Sequence, residues 1–153
     1  MSVIIADINY LIFMSYYFEQ RELIFIGQIL LAVLLGAILG IQRERWGKWA
    51  GPRTYALVCA GAALFTLLSR NFFSVTPAII PAAIVSGIGF LGAGTILHKE
   101  NRVEGLTTAA GLWMTAAIGM AVGTERYLLS AVVTLIILLL LMVDDKSIIQ
   151  DHP

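Results

Sequence analysis

A polytopic, all-α membrane helix bundle of about five transmembrane helices is the fold that three features of the sequence predict. Hydrophobic residues make up 59% of the 153-residue chain and charged ones only 13%, against roughly 45–50% and about 25% in a soluble domain. That leaves too little polar material to face water. Apolar runs of near-spanning length recur along the chain, each bounded by polar or charged residues. Within them small residues return at intervals of about four, the spacing at which membrane helices approach closely. Ten Lys and Arg balance ten Asp and Glu. Nucleic acid is therefore not an expected partner, because neutralising phosphates needs a basic excess. The lone Cys59 excludes an internal disulfide and a cysteine-based zinc site.

Residues 1–22 read as an N-terminal interfacial segment. Tyr10, Phe13, Tyr16, Tyr17 and Phe18 suit the headgroup level, while Asp7, Asn9 and Ser15 break the apolar run. No basic lead or small-residue cleavage site marks a signal peptide. The transmembrane domain is expected over residues 23–143. Its first span is 23–41, with only Gln28 polar, followed by the charged loop QRERWGKWAGPR at 42–53. The second span is 54–68, ended by Ser69, Arg70 and Asn71; the third is 78–97, the fourth 105–122 and the fifth 127–143. Residues 144–153 form a short polar tail. The second and fifth runs fall short of ~20 residues. Flanking Arg, Thr and Tyr can extend them to the interface, or one of them is re-entrant and four helices span.

Basic residues set the orientation. Arg43, Arg45, Lys48, Arg53, Lys99, Arg102 and Lys146 would lie on one side and Arg21, Arg70 and Arg126 on the other. The positive-inside rule then places the 42–53 loop, the 98–104 loop and the C-terminus in the cytoplasm, and the N-terminus outside.

The string SGIGFLGAG at 86–94 carries Gly87, Gly89, Gly92 and Gly94. It formally matches the dinucleotide fingerprint GxGxxG, but that motif needs a strand-to-helix turn in a soluble βαβ unit, and here it lies inside an apolar run. Two readings remain for it. One is close helix packing, which is favoured; the other is an interrupted helix whose freed carbonyls line a polar path. Further small-residue stripes are Ala32, Gly36 and Gly40; Ala56, Ala60 and Ala63; and Gly105, Ala109, Ala116, Gly119 and Gly123. The fifth run, with LIILLLL broken only by Ser130, Ala131 and Thr134 nearby, suits a lipid-facing edge.

In the 42–53 loop, Trp46 and Trp49 read as interfacial anchors beside basic residues that face anionic headgroups. Thr54 is a candidate N-cap for the second helix. Arg53 is a candidate partner for Glu44, Glu100 or Glu104, a pairing that would latch the cytoplasmic helix ends. Thr107 and Thr108 are expected to bond back into their own helix, the favoured reading, or across to a neighbour. Trp113 calls for a neighbouring helix to accept its ring. His98, beside Lys99 and with no second His at ligand spacing, reads as solvated. No nucleophile–base pair, zinc pattern or phosphate loop is present, so neither enzymatic activity nor a cofactor is expected.

The order GIQRER, AGPRTYALVCAGAALFTLLS, IVSGIGFLGAGTIL and VEGLTTAAGLWMTAAIGMAVG resembles the MgtC/SapB family of bacterial membrane proteins over about residues 27–140. The resemblance implies a bacterial inner-membrane protein tied to magnesium homeostasis and, in pathogens, to survival inside host cells. It implies two accounts of activity. One is regulation of membrane partners such as the ATP synthase, and the other is ion transport, with Mg²⁺ as the candidate ion. A structural subunit or homo-oligomer is a third expectation. Motif positions carried over are Arg43, Glu44, Arg53, Thr54, Gly87, Gly89, Gly92, Gly94, Gly105, Thr107 and Thr108. The chain departs from the family's pattern at Gln42, where many relatives have Glu, and at Thr76, Ile79 and Ala83, where the family often has Asp, Arg and Gln. Some members also carry a soluble C-terminal domain, which the short 144–153 tail is not expected to supply.

Overall fold

A computed structural model describes the backbone over residues 2–72, 79–99 and 102–143, and side chains over 20–72, 79–98 and 103–143. The elements are α1 (Ser2–Arg45), α2 (Pro52–Phe72), α3 (Ile79–Ala93), β1 (Leu97–Lys99), β2 (Arg102–Glu104), α4 (Leu106–Gly123) and α5 (Tyr127–Leu141). This is the expected all-α membrane bundle. Three helical stretches, Gln20–Arg45, Pro52–Phe72 and Leu106–Gly123, are long and apolar enough to cross a membrane.

Several boundaries differ from expectation, each for a local reason. The junction expected at 22/23 falls inside α1, whose backbone runs through it unbroken. α1 stops where Gly47 takes a left-handed φ of 63°. Gly47 N–H then donates to the Glu44 carbonyl at 2.9 Å and Lys48 N–H to the Arg43 carbonyl at 3.0 Å, the paired bonds of a glycine-terminated helix. α2 begins at Pro52 rather than Thr54, because Gly51 carries the first helical carbonyl, accepting from Tyr55 N–H at 3.2 Å. Proline suits the first helical position, where its missing N–H costs nothing. Thr54 thus sits in the first turn and is not the N-cap.

α2 also continues through Ser69, Arg70 and Asn71 to Phe72, so the second run reaches spanning length. The short helices are α3 and α5, at 15 residues each, or about 22 Å. α3 ends early because Thr95 N–H and Oγ1 both turn back to the Gly92 carbonyl, at 3.0 and 2.8 Å. Leu97 accordingly joins a short antiparallel hairpin, paired with Glu104, instead of extending the span. Thr76 and the 144–153 tail lie outside the described residues.

Successive helices run in alternating directions. At one end Gly40 meets Pro52, Gly92 meets Ala109, and Gln42 Nε2 donates to the Leu141 carbonyl at 2.7 Å. At the opposite end Arg21 bonds Asn71, Gln28 Nε2 donates to Tyr127 Oη at 2.6 Å, and Arg70 pairs with Glu125 at 2.9 Å. The first is called the hairpin end below. α5 packs on α1 and α4 through buried Ser130, Thr134 and Leu141, while Leu128, Val132, Leu135, Ile136 and Leu139 face outward. That is the edge position expected of it. Trp113 is a correction: it is 46% exposed and points out of the bundle.

Candidate functional site

The centre of the molecule is α2, gripped between α1 and α4 by glycines. A methyl group on Gly36 would come within 2.6 Å of the Tyr55 carbonyl oxygen and 2.8 Å of Cys59 Cβ, and one on Gly40 would strike Pro52. From the other side, a methyl on Gly111 would lie 2.6 Å from Tyr55 Oη, and one on Gly119 would run into the Cys59 carbonyl. On Gly123 it would come within 2.7 Å of the Ala63 carbonyl. Helices this close leave no room for a side chain, and dispersion between backbones replaces side-chain packing. Gly111, Thr115, Gly119 and Gly123 stand at strict intervals of four, which puts them on one face of α4. The stripe expected on α4 included only two of them. On α2 the buried face is Tyr55, Cys59, Ala62, Ala63 and Thr66. Of the expected Ala56, Ala60 and Ala63, only Ala63 is fully buried.

Above this junction, at the hairpin end, lies a buried polar cluster. Arg43, only 2% exposed, reaches from the last turn of α1 into the first turn of α4, where its Nη2 donates to Thr108 Oγ1 at 3.2 Å. Tyr55 Oη lies beside it, 3.5 Å from the Thr108 carbonyl oxygen. Arg43 Nε and the neighbouring Gln42 Oε1 are buried without a hydrogen-bond partner. The position at the C-terminal end of α1 favours a cation. Arg43, Gln42, Thr108 and Leu141 thus join α1 to α4 and α5. The latch expected from Arg53 is absent among the described residues: Arg53 and Thr54 are exposed, and Glu44 is exposed beside Gly51. Glu100 lies outside the described residues. Thr108 accepts from a neighbouring helix, the less favoured of its two expected roles; Thr107 is exposed.

The glycine string is split by the structure. A methyl group placed on Gly87 or Gly89 would have no atom within 4 Å, one on Gly92 would make ordinary contact with Ala109 at 3.5 Å, and Gly94 lies in the turn that ends α3. The close packing favoured for this string is therefore found at the glycines of α1 and α4. Gly87 instead opens onto an apolar cleft of about 580 Å³ between α2 and α3, whose walls include Leu57, Gly61 and Phe65 facing Ile84, Gly87 and Leu91. Gly105 has a different role. At φ 92° it starts α4 pressed against the Thr95 carbonyl, a position where only glycine avoids both strain and collision.

Among the described residues no group of three or more His, Cys, Asp and Glu could hold a metal ion. Two signals for this site were present in the sequence, the four-residue interval from Gly111 to Gly123 and the adjacency of Gln42 and Arg43 at a span end. Neither discloses burial by itself.

The MgtC family model matches residues 29–147. "Protein MgtC" of Salmonella typhimurium is 47% identical over 120 residues, covering 77% of this chain and 52% of that protein. "Putative magnesium transporter YhiD" of Escherichia coli K12 is 40% identical over 124 residues, 73% of this chain and 58% of that one. An uncharacterized protein of Haemophilus influenzae is 37% identical over 130 residues, 78% of this chain and 54% of its own length. The chain spans about half the length of these curated relatives. No solved structure matches it.

Proposed function

The chain belongs to the MgtC family, and from that membership we propose that it serves magnesium or other ion homeostasis as a multi-pass inner-membrane protein acting by contact with membrane partners. The observation that carries this reading is the closed junction of α1, α2 and α4. Glycine-to-backbone contact at Gly36, Gly40, Gly119 and Gly123 holds the three helices in direct contact along this junction, which suits a bundle that acts through the surfaces it presents. The role is non-enzymatic in this reading, and the partner to test first is the membrane ATP synthase, which the family resemblance implies. Homo-oligomerisation is a second contact mode within it.

The proposed orientation puts the 42–53 loop and the β1–β2 hairpin in the cytoplasm, supported by the basic residues concentrated there. Lys48→Cys and Arg126→Cys should label from opposite sides of the membrane, and labelling from one side contradicts the arrangement.

Transport along α3 is the second reading, favoured by the open space beside Gly87 and Gly89 and by the name YhiD carries. The space beside Gly87 is lined by hydrocarbon, which offers a divalent cation none of the oxygen ligands it needs on losing water. Purified protein in liposomes, assayed for Mg²⁺ flux, separates the two. The contact reading predicts no flux above empty vesicles. Flux that Gly89→Leu abolishes and Lys99→Ala preserves would overturn it in favour of transport.

A further inference from the structure

The cleft between α2 and α3 has a charged mouth. Along α2, Arg53, Leu57, Gly61 and Phe65 follow one another at intervals of four, so they share one face. Leu57, Gly61 and Phe65 line the cleft, and Arg53 stands one turn beyond Leu57 at the hairpin end. Among the described residues Arg53 is exposed and enters no ion pair or hydrogen bond. On the opposite wall the lining runs from Ile80 to Leu91, a rise of about 16 Å. One leaflet of hydrocarbon is about 15 Å deep. The cleft therefore starts one turn inside a cation at the hairpin end and runs inward over a length close to the depth of one leaflet.

Its walls are almost entirely hydrocarbon, with Val58, Ala83, Ile84 and Ile88 completing them and Ala116 of α4 behind. Gly61 and Gly87 face the space from opposite sides, and neither has an atom within 4 Å of where a methyl would stand. At Gly36, Gly40, Gly119 and Gly123 glycines bring backbones together. Here two others hold a groove open. The carbonyls at the adjoining end of α3 are partly occupied, Phe90 by Gly94 N–H at 3.1 Å and Gly92 by Thr95, which lessens their repulsion of an anion at the mouth.

We propose that this cleft is a binding site for one anionic phospholipid of the hairpin-end leaflet, with an acyl chain between α2 and α3 and the headgroup phosphate on Arg53. The apolar groove alone would accept any chain; the unpaired guanidinium at its mouth selects the anionic headgroup, since a phosphate takes two guanidinium hydrogen bonds at once. The site differs from the general attraction of basic loops to anionic membranes in being stoichiometric and in depending on Gly61 and Gly87. It rests on the helices spanning the bilayer and is independent of whether the protein regulates or transports. Mg²⁺ flux bears on the latter question and lipid retention on this one, so the two can fail separately.

The full chain, delipidated in detergent and titrated with phosphatidylglycerol or phosphatidylcholine, is read by native mass spectrometry. One phosphatidylglycerol per chain should be retained, at least tenfold more tightly than phosphatidylcholine. Arg53→Gln should remove that preference while leaving weak binding of both. Gly61→Leu and Gly87→Leu, which fill the groove from opposite walls at positions where a Cβ meets no neighbour, should each lower retention of both lipids at least tenfold with helicity and thermal midpoint kept. Retention unchanged by both leucine variants, or a phosphatidylglycerol preference that survives Arg53→Gln, overturns the proposal. So does a dimer that Gly61→Leu converts to monomer while lipid retention stays the same, since a second copy would then occupy the groove.

Discussion

Gly119 and Gly87 are both helical glycines in apolar segments, yet a methyl group added to the first would enter the Cys59 carbonyl and one added to the second would touch nothing. The same contrast divides the molecule. Around α2, the glycines of α1 and α4 remove side chains so that three helices meet backbone to backbone. At Gly87 and Gly89 of α3, glycines remove side chains and nothing takes their place, while Gly92 of the same helix makes ordinary contact with Ala109. A glycine-rich string in a membrane helix is therefore ambiguous until its neighbour is known. The richer string, SGIGFLGAG, lies on the open side, and the sparser intervals of α1 and α4 make the core.

The contrast can be broken at several points. Gly119→Leu should have the largest effect, because overpacking here strikes backbone, which cannot rotate away; a loss of about 3 kcal/mol or more in unfolding free energy is expected. Denaturant unfolding in mixed micelles, followed by tryptophan fluorescence, measures it, and a loss below about 1 kcal/mol would mean the helices are not in close contact. Thr108→Val comes next. It removes the acceptor of a buried guanidinium and should cost about 1.5–3 kcal/mol. Adding Arg43→Met should recover most of that loss, since an apolar pair replaces an uncompensated buried charge; a double variant weaker than Thr108→Val would contradict the latch. Gly89→Ala should have the smallest effect, a change within about 1 kcal/mol in the stabilising direction, from helix propensity alone. A substantial destabilisation by the same assay would place a neighbour where the structure has none.

Much of this architecture is legible in the residues. Apolar runs locate all five helices, because the cost of unsatisfied backbone in hydrocarbon enforces helix wherever the chain spans. The lipid-facing edge position of α5 follows from its bulk, and its buried face from Ser130 and Thr134. Helix ends are less legible. α2 carries Ser69, Arg70 and Asn71 in its last turns because its end is polar, with Arg70 paired to Glu125, so hydropathy underestimates it. α3 is overestimated because Thr95 turns the chain while its neighbours stay apolar. The candidate site is legible only in part. Arg43 and Thr108 stand among the motif residues, but a basic residue at a span end normally faces headgroups, and nothing local announces that this one is enclosed within the bundle. Arg53, by contrast, reads as the better candidate for a latch and is left exposed, because the Gly47 turn and Pro52 start α2 two residues earlier than Thr54 suggests.

The central claim is that close contact at α1, α2 and α4, and open space at α3, are built from the same residue type. The most direct test is Gly119→Ala beside Gly87→Ala, unfolded by denaturant in one lipid nanodisc composition. A single methyl at Gly119 should cost about 1–3 kcal/mol, while the same methyl at Gly87 should leave stability unchanged or raise it by up to about 1 kcal/mol. Equal losses at the two positions, or a larger loss at Gly87, would contradict the account.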